Sequence, residues 1–283
     1  MKTISIITVN YNHKNGLENT IKSVVSQTCD SFEFIIIDGG SVDGSVDVIK
    51  KYAAKIDFWV SEKDKGIYHA MNKGIEHAKG EFCLFLNSGD ILHDNNVLNY
   101  ICQHHLLDRD VVIGAIQRVP SGYIKKVEIR EPYVLADFWL ENPIPHQSTF
   151  IRRILFNECR YDESLKIASD LKFFVQVMIF KRCSYKSIDC IVSDFEEGGL
   201  SSQKSAHDEC RSIFKDLLPE YIYDDYVRVF NRKYESFFIE LRLYKYRAII
   251  YTLSVLIVRF FSLFRKNAAF ARSFPLFDKN KNI

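Results

Sequence analysis

The sequence predicts an α/β protein with a mostly parallel, doubly wound sheet and a helical C-terminal extension. Three observations carry this. Short apolar strands alternate with amphipathic helices through the first 90 residues. Two of those strands run into polar turns, Asp38-Gly39-Gly40-Ser41-Val42-Asp43-Gly44 and Asn87-Ser88-Gly89-Asp90. Beyond Glu240 the chain turns basic and apolar.

The elements follow in order. Ile4 to Val9 is Ile-rich and reads as a buried strand, left by the loop Asn10-Tyr11-Asn12. Leu17, Ile21, Val24 and Val25 share one face of a helix over 17–26. Phe32 to Ile37 is the second strand, and Ser45 to Tyr52 a helix with Ser45 as N-cap. Asp57 to Ser61 forms a third strand, Tyr68 to Ala78 a helix closed by Gly80, and Phe82 to Leu86 a fourth strand ending near Asp90. Such β-α alternation predicts parallel pairing through helical crossovers. The middle is less regular. Strands are expected at Val111–Val119 and Tyr123–Glu128 around a Pro120-Ser121-Gly122 turn, then at Thr149–Arg152 and Cys183–Ile191. Helices are expected at Asp170–Ile179, with Ser169 as N-cap, at His207–Leu218, and onward to about Phe264.

With 283 residues, 47% of them hydrophobic, the chain can bury one large core or a core plus an extension. We expect a catalytic domain over 1–202, split into a nucleotide-binding half (1–92) and an acceptor half (93–202), followed by an extension over 203–283. The net charge of +2 gives no sign of a nucleic-acid partner. That charge is uneven. Nine Lys/Arg after residue 239 face only Glu240 and Asp278, so the tail carries +7 and the rest −5. A basic tail points to an anionic surface. Seven scattered cysteines without a CxxC pair read as reduced thiols, and no signal peptide is evident, so a cytoplasmic location is expected.

Asp38 stands at a strand end with glycines behind it, where a carboxylate can accept from a nucleobase N–H or a ribose hydroxyl. A plain strand-turn-helix with Asp43-Gly44 as its turn also accounts for the segment. The absence of GxGxxG disfavours a dinucleotide site. Asp90 follows a buried strand and can reach a diphosphate-bound Mg²⁺ or Mn²⁺, although Ser-Gly-Asp is also a common turn.

Four ordered segments together resemble the family 2 glycosyltransferases, inverting enzymes of the GT-A fold. They are Thr8-Val9-Asn10-Tyr11-Asn12, Asp38 to Gly44, Ser61-Glu62-x-Asp64-x-Gly66-Ile67-Tyr68-x-Ala70-Met71-Asn72-Lys73-Gly74, and Asn87-Ser88-Gly89-Asp90. The resemblance implies that Thr8, Asn10 and Tyr11 line the nucleotide loop and that Asp38, with Ser41, faces the base. It implies that Asp64, Gly66, Tyr68 and Asn72 pack on the nucleotide-sugar, that Asn87 and Ser88 border it, and that Asp90 contacts the metal. Asn87 and Gly89 stand where many members carry carboxylates. Ala168-Ser169-Asp170 resembles the family's later acidic motif, which makes Asp170 the catalytic base. The alternative is that Asp170 is only a helix-start acid favoured by the dipole. His146 and Gln147 open a strand on the acceptor side, where His146 either contacts substrate or is a plain loop histidine. Gly198 and Gly199 resemble a flexible loop that closes over the donor, or form an ordinary loop.

The last apolar stretch, Tyr246 to Phe264, has helical spacing, with Arg259 inside and Lys245, Arg247, Arg265 and Lys266 flanking. That pattern suits a helix lying in the plane of an anionic membrane on its inner face. A helix packed on the core or on a partner is the alternative. The expected function is transfer of a sugar from a nucleotide-diphosphate donor to a lipid-linked or oligosaccharide hydroxyl. The rivals are a nucleotidyltransferase and a non-catalytic scaffold of the same fold.

Overall fold

The computed structural model describes residues 2–119, 121, 123–125, 135, 138, 144–196 and 205–228. Among these residues nine strands form one sheet: β1 (Ile4–Asn10), β2 (Phe32–Asp38), β3 (Phe58–Ser61), β4 (Phe82–Phe85), β5 (Ile91–Leu92), β6 (Val111–Val119), β7 (Ile124–Lys125), β8 (Thr149–Arg152) and β9 (Tyr185–Glu196). The helices are α1 (Lys14–Val25), α2 (Ser45–Tyr52), α3 (Ile67–His77), α4 (Val97–Gln103), α5 (Ser169–Phe174) and α6 (Ser205–Leu217).

The strand order is β3-β2-β1-β4-β8-β6-β9-β5, with β7 paired to β6. β1 to β4 are all parallel, as their helical crossovers demand. Beyond β4 the sheet is mixed. β8 runs antiparallel to β4 and β6, β9 parallel to β6, and β5 antiparallel to β9. β7 lies too close to β6 in sequence for a crossover and pairs antiparallel.

One face of the sheet buries Ile4, Ile6, Phe34, Ile36 and Leu84 against Leu17, Ile21 and Val24 of α1 and Ile101 of α4. Each such side chain contributes about 1.5–3 kcal/mol when fully buried. This core fixes the heights of the strand ends. The register pairs Asn10 with Asp38 and Asp38 with Ser61, so three polar residues form one row where the strands leave the sheet.

Several elements differ from expectation. α4 and β5 are too short to leave a clear periodic trace. β9 runs five residues past the predicted end at Ile191. Gly44, not Ser45, caps α2, and Ser45 instead donates its hydroxyl to Asp43 at 2.6 Å. Ala168, not Ser169, caps α5. α5 continues as a wider π-type turn over Val175–Phe180, which together match the predicted helix. Tyr123 to Glu128 is strand only at Ile124–Lys125 among its described residues.

The chain divides into a unit of residues 1–219 and a unit of residues 220–283. α6 falls within the first of these units, whereas the sequence places the start of the extension at 203. In the second unit, residues 220–228 are helical. The apolar stretch Tyr246 to Phe264 lies outside the described residues. Among those described, no helix is long and apolar enough to cross a membrane.

Candidate active site

Asp38 is fully buried and its carboxylate is saturated. Oδ1 accepts from Asn10 Nδ2 (2.7 Å) and Ser41 Oγ (2.6 Å), and Oδ2 from the Ser41 N–H (2.9 Å) and Ser61 Oγ (2.6 Å). Burial acts to raise its pKa, but these hydrogen bonds outweigh it and hold the carboxyl below the usual range. With about four lone-pair directions on a carboxylate, none is left for a base. Asp38 is the post around which the loop is built, with both carboxylate oxygens committed to the protein. Ser41 is likewise turned inward, accepting from the Asn12 N–H at 2.7 Å. Thr8 is buried, and its hydroxyl donates to the Leu86 carbonyl across β1 and β4. Asn10 is buried and bridges both turns, donating to Asp38 and accepting from Ser88 Oγ at 2.8 Å.

The turn after β4 is clasped from α1. Thr20 Oγ1 donates to the Asp90 carbonyl (2.7 Å) and accepts from the Gly89 N–H (3.1 Å). Nothing in the sequence singled out Thr20, which reads as an ordinary helical threonine. The Ser88 N–H donates to the Val9 carbonyl. Asp90 is buried, and Asn87 is half-buried.

Tyr11 is 69% exposed and offers an open ring beside this row. Gly39 makes the fit below it possible. A Cβ there would lie 3.2 Å from the Tyr11 ring and 3.3 Å from Asp64 Oδ2. Asp64 is held from one side only. Oδ1 meets Lys73 Nζ at 2.6 Å and His69 Nδ1 at 3.1 Å, whereas Oδ2 is buried without a partner. Burial acts to lower the Lys73 pKa, but Asp64 and Glu62 raise it above the usual lysine value. His69 and Lys73 stand four apart on α3 and so share a face, a spacing that marks them as a pair. Gly66 caps α3 at φ +145°, ψ 173°, a conformation essentially restricted to glycine.

Asp170 sits in the first turn of α5, half-buried. Its Oδ1 accepts from the Leu171 N–H (2.9 Å) and lies 3.4 Å from the Tyr68 hydroxyl, which donates to the Ile167 carbonyl at 2.6 Å. Burial first, then the Asp170 charge, raises the Tyr68 pKa far above its usual value and keeps it a donor. Its Oδ2 lies 3.0 Å from His146 Nδ1, and His146 Nε2 lies 3.2 Å from Asn87 Nδ2. Tyr68 and Asn72 both turn toward the segment that precedes α5. Asn72 donates to the Tyr161 carbonyl (2.9 Å) and Glu163 Oε1 (3.0 Å), tying α3 to the segment that leads to Asp170. Gln147 is buried beside His146.

Glu209 of α6 accepts from the Lys166, Ile167 and Ala168 N–H groups at 2.6, 2.6 and 2.8 Å. It holds the loop that feeds α5, a role with no local sequence signal. Gly198 and Gly199 lie outside the described residues.

Among the described residues no cluster of three or more His, Cys, Asp or Glu side chains is set to hold a metal. Asp90 is the only carboxylate of its turn, because Asn87 and Gly89 replace the others. That donor set fits a cation held by one carboxylate with substrate phosphates completing the shell.

A parallel α/β half with polar strand-end turns, joined to a mixed half carrying one helix-start carboxylate, defines a nucleotide-diphosphate sugar transferase fold. The profile of Glycosyl transferase family 2 matches residues 5–167, and the chain belongs to that family. An uncharacterized glycosyltransferase of Mycobacterium tuberculosis (strain H37Rv) is 30% identical over 233 residues, covering 76% of this chain and 81% of the relative. The poly(ribitol-phosphate) beta-N-acetylglucosaminyltransferase TarP of Staphylococcus aureus (strain N315) is 29% identical over 248 residues, covering 79% and 74%. Among solved structures, S. aureus TarS 1–349 in complex with UDP-GlcNAc superposes with a TM-score of 0.62 at 22% identity, over 84% of this chain and 73% of that TarS fragment. The protein is a glycosyltransferase.

Proposed function

We propose that the enzyme moves a sugar from a uridine-diphosphate donor to a hydroxyl of a lipid-linked or oligosaccharide acceptor, by inverting displacement, in cell-surface polysaccharide synthesis. The observation that carries this is spacing. A single imidazole spans the gap between Asn87, at the turn where the diphosphate would sit, and Asp170, the acceptor-side carboxylate. Base and leaving group are then close enough for one displacement at the sugar carbon. Asp170 takes the proton of the acceptor hydroxyl while the electron pair leaves with the diphosphate. A divalent cation, Mg²⁺ or Mn²⁺, held by Asp90 and the two phosphates would neutralise the charge of the leaving group.

Uridine is favoured by Asp64. Its one free oxygen suits a single ring N–H, as uracil offers between two carbonyls. Guanine presents two adjacent N–H groups and needs both carboxylate oxygens, and here Lys73 and His69 already hold Oδ1. The complex of TarS with UDP-GlcNAc is consistent with this choice, and the name of TarP with a glycopolymer acceptor.

Calorimetry with uridine and guanosine diphosphates, in Mn²⁺ and then in EDTA, tests the donor reading. UDP should bind at least about tenfold tighter, a difference worth about 1.4 kcal/mol, and Asp64→Asn should erase the preference. Equal binding of the two nucleotides by the wild type would sink the assignment to Asp64. EDTA should weaken binding in the wild type and do nothing in Asp90→Ala.

The basic tail is read as an anchor that brings this site to a lipid-linked acceptor. Each basic residue near an anionic leaflet contributes about 1 kcal/mol. Full-length protein should float with anionic liposomes and be released by high salt with mild detergent. A chain ending near Arg242 should stay behind and still bind UDP. Flotation of the truncated chain to the same extent would remove the tail from the argument.

A further inference from the structure

Among the described residues, His146 is the one side chain that touches both the donor-side turn and the acceptor-side carboxylate. It comes from the loop before β8, is largely buried at 15% side-chain exposure, and uses both ring nitrogens. An ionised carboxylate only accepts, so the proton of Nδ1 points at Asp170 Oδ2. Nε2 then receives the Asn87 amide, which leaves Asn87 Oδ1 buried and unpaired. Asp170 Oδ1 is committed to the Leu171 N–H and faces the Tyr68 hydroxyl. The carboxylate is therefore fixed from two directions, by Tyr68 of α3 at Oδ1 and by His146 at Oδ2, and the His146 contact connects it to the turn that carries Asn87.

We infer that His146 is a positioning residue of the transfer, which rests on Asp170 being the base: its ring ties the Asp170 carboxylate to Asn87 and so holds the proton acceptor at a set place relative to the leaving diphosphate. In the step itself the acceptor oxygen forms its bond to the sugar carbon and its proton passes to Asp170. The sugar–diphosphate bond breaks with its electron pair going to the diphosphate. His146 neither gains nor loses a proton. It keeps Oδ2 turned toward the site. The unpaired Asn87 oxygen gives the link a second use. A donor hydroxyl that fills it fixes the amide and, through the imidazole, steadies a base that is already in place.

The test uses the full chain. In ¹⁵N-histidine spectra without ligand, one ring, assigned by its loss in His146→Asn, should carry its proton on Nδ1. Its signals should move in both Asp170→Asn and Asn87→Ala. A proton on Nε2, or signals that ignore either substitution, would overturn the geometry. UDP release from UDP-GlcNAc, with water as acceptor, gives the second readout. His146→Phe should bind UDP as the wild type does and lower kcat by about ten- to a hundredfold, less than the 10²- to 10⁴-fold of a positioned acid or base. His146→Asn keeps a donor where Nδ1 was and should recover part of the loss. Normal turnover in His146→Phe, or equal loss in the two variants, defeats the inference. If the wild type neither binds UDP nor releases it, the donor reading fails instead, and the ligand-free spectra still decide the geometry.

Discussion

Asp170→Asn is expected to fold, to bind UDP as the wild type does, and to lose transfer by about 10²-fold or more, the usual contribution of a positioned base. The substitution is nearly isosteric. An amide oxygen at Oδ1 still accepts from the Leu171 N–H and faces Tyr68, so α5 keeps its first turn. What is lost is the one oxygen able to take a proton. Single-turnover transfer on wild type and variant, with calorimetry for the donor, separates the two effects. Near-normal transfer would move the base to another carboxylate.

Asp38→Ala should have a comparably large effect through a different cause. The carboxylate accepts four hydrogen bonds in a fully buried place. Its removal strands Asn10, Ser41 and Ser61 together, and each buried unsatisfied group costs about 1–3 kcal/mol. We expect a stability loss of at least about 3 kcal/mol in denaturant titration and no measurable UDP binding. Because the folded pKa is lowered from 3.8, the Asp38 contribution is complete above that value and is lost as pH falls through the lowered one. The wild type should therefore lose stability in acid more steeply than Asp38→Ala does. A variant with wild-type stability and weakened binding would return Asp38 to the nucleotide.

The first half of the fold was legible because its signals are local. Ile4 to Val9, Phe32 to Ile37 and the apolar face of α1 each announce themselves within a few residues. Site positions were legible too, but not the directions of their side chains. Thr8, Asp38, Tyr68 and Asn72 stand in the expected motifs and turn inward, to Leu86, Ser61, Ile167 and Tyr161. A motif marks a residue as constrained without saying whether a ligand or the fold imposes the constraint. Asp64 is the contrasting case, since its free oxygen appears only once Lys73 and His69 are seen on the other one. The pairing of His146 with Asp170 spans 24 residues and that of Glu209 with Ile167 spans 42. Contacts of that range leave no periodic trace.

The Glu209 clamp also sets an order of assembly on the ribosome. Chains fold from the N-terminus as they emerge, at about 5–20 residues per second. The donor row needs only β1 to β4 and α1 to α3, which are complete once the Asn87–Asp90 turn is out. The loop before Asp170 has no acceptor for its three N–H groups until α6 has followed. A nascent chain thus acquires its nucleotide cradle well before its proton acceptor is seated. On the proposed reading of Asp170, a donor captured in that interval meets no seated base.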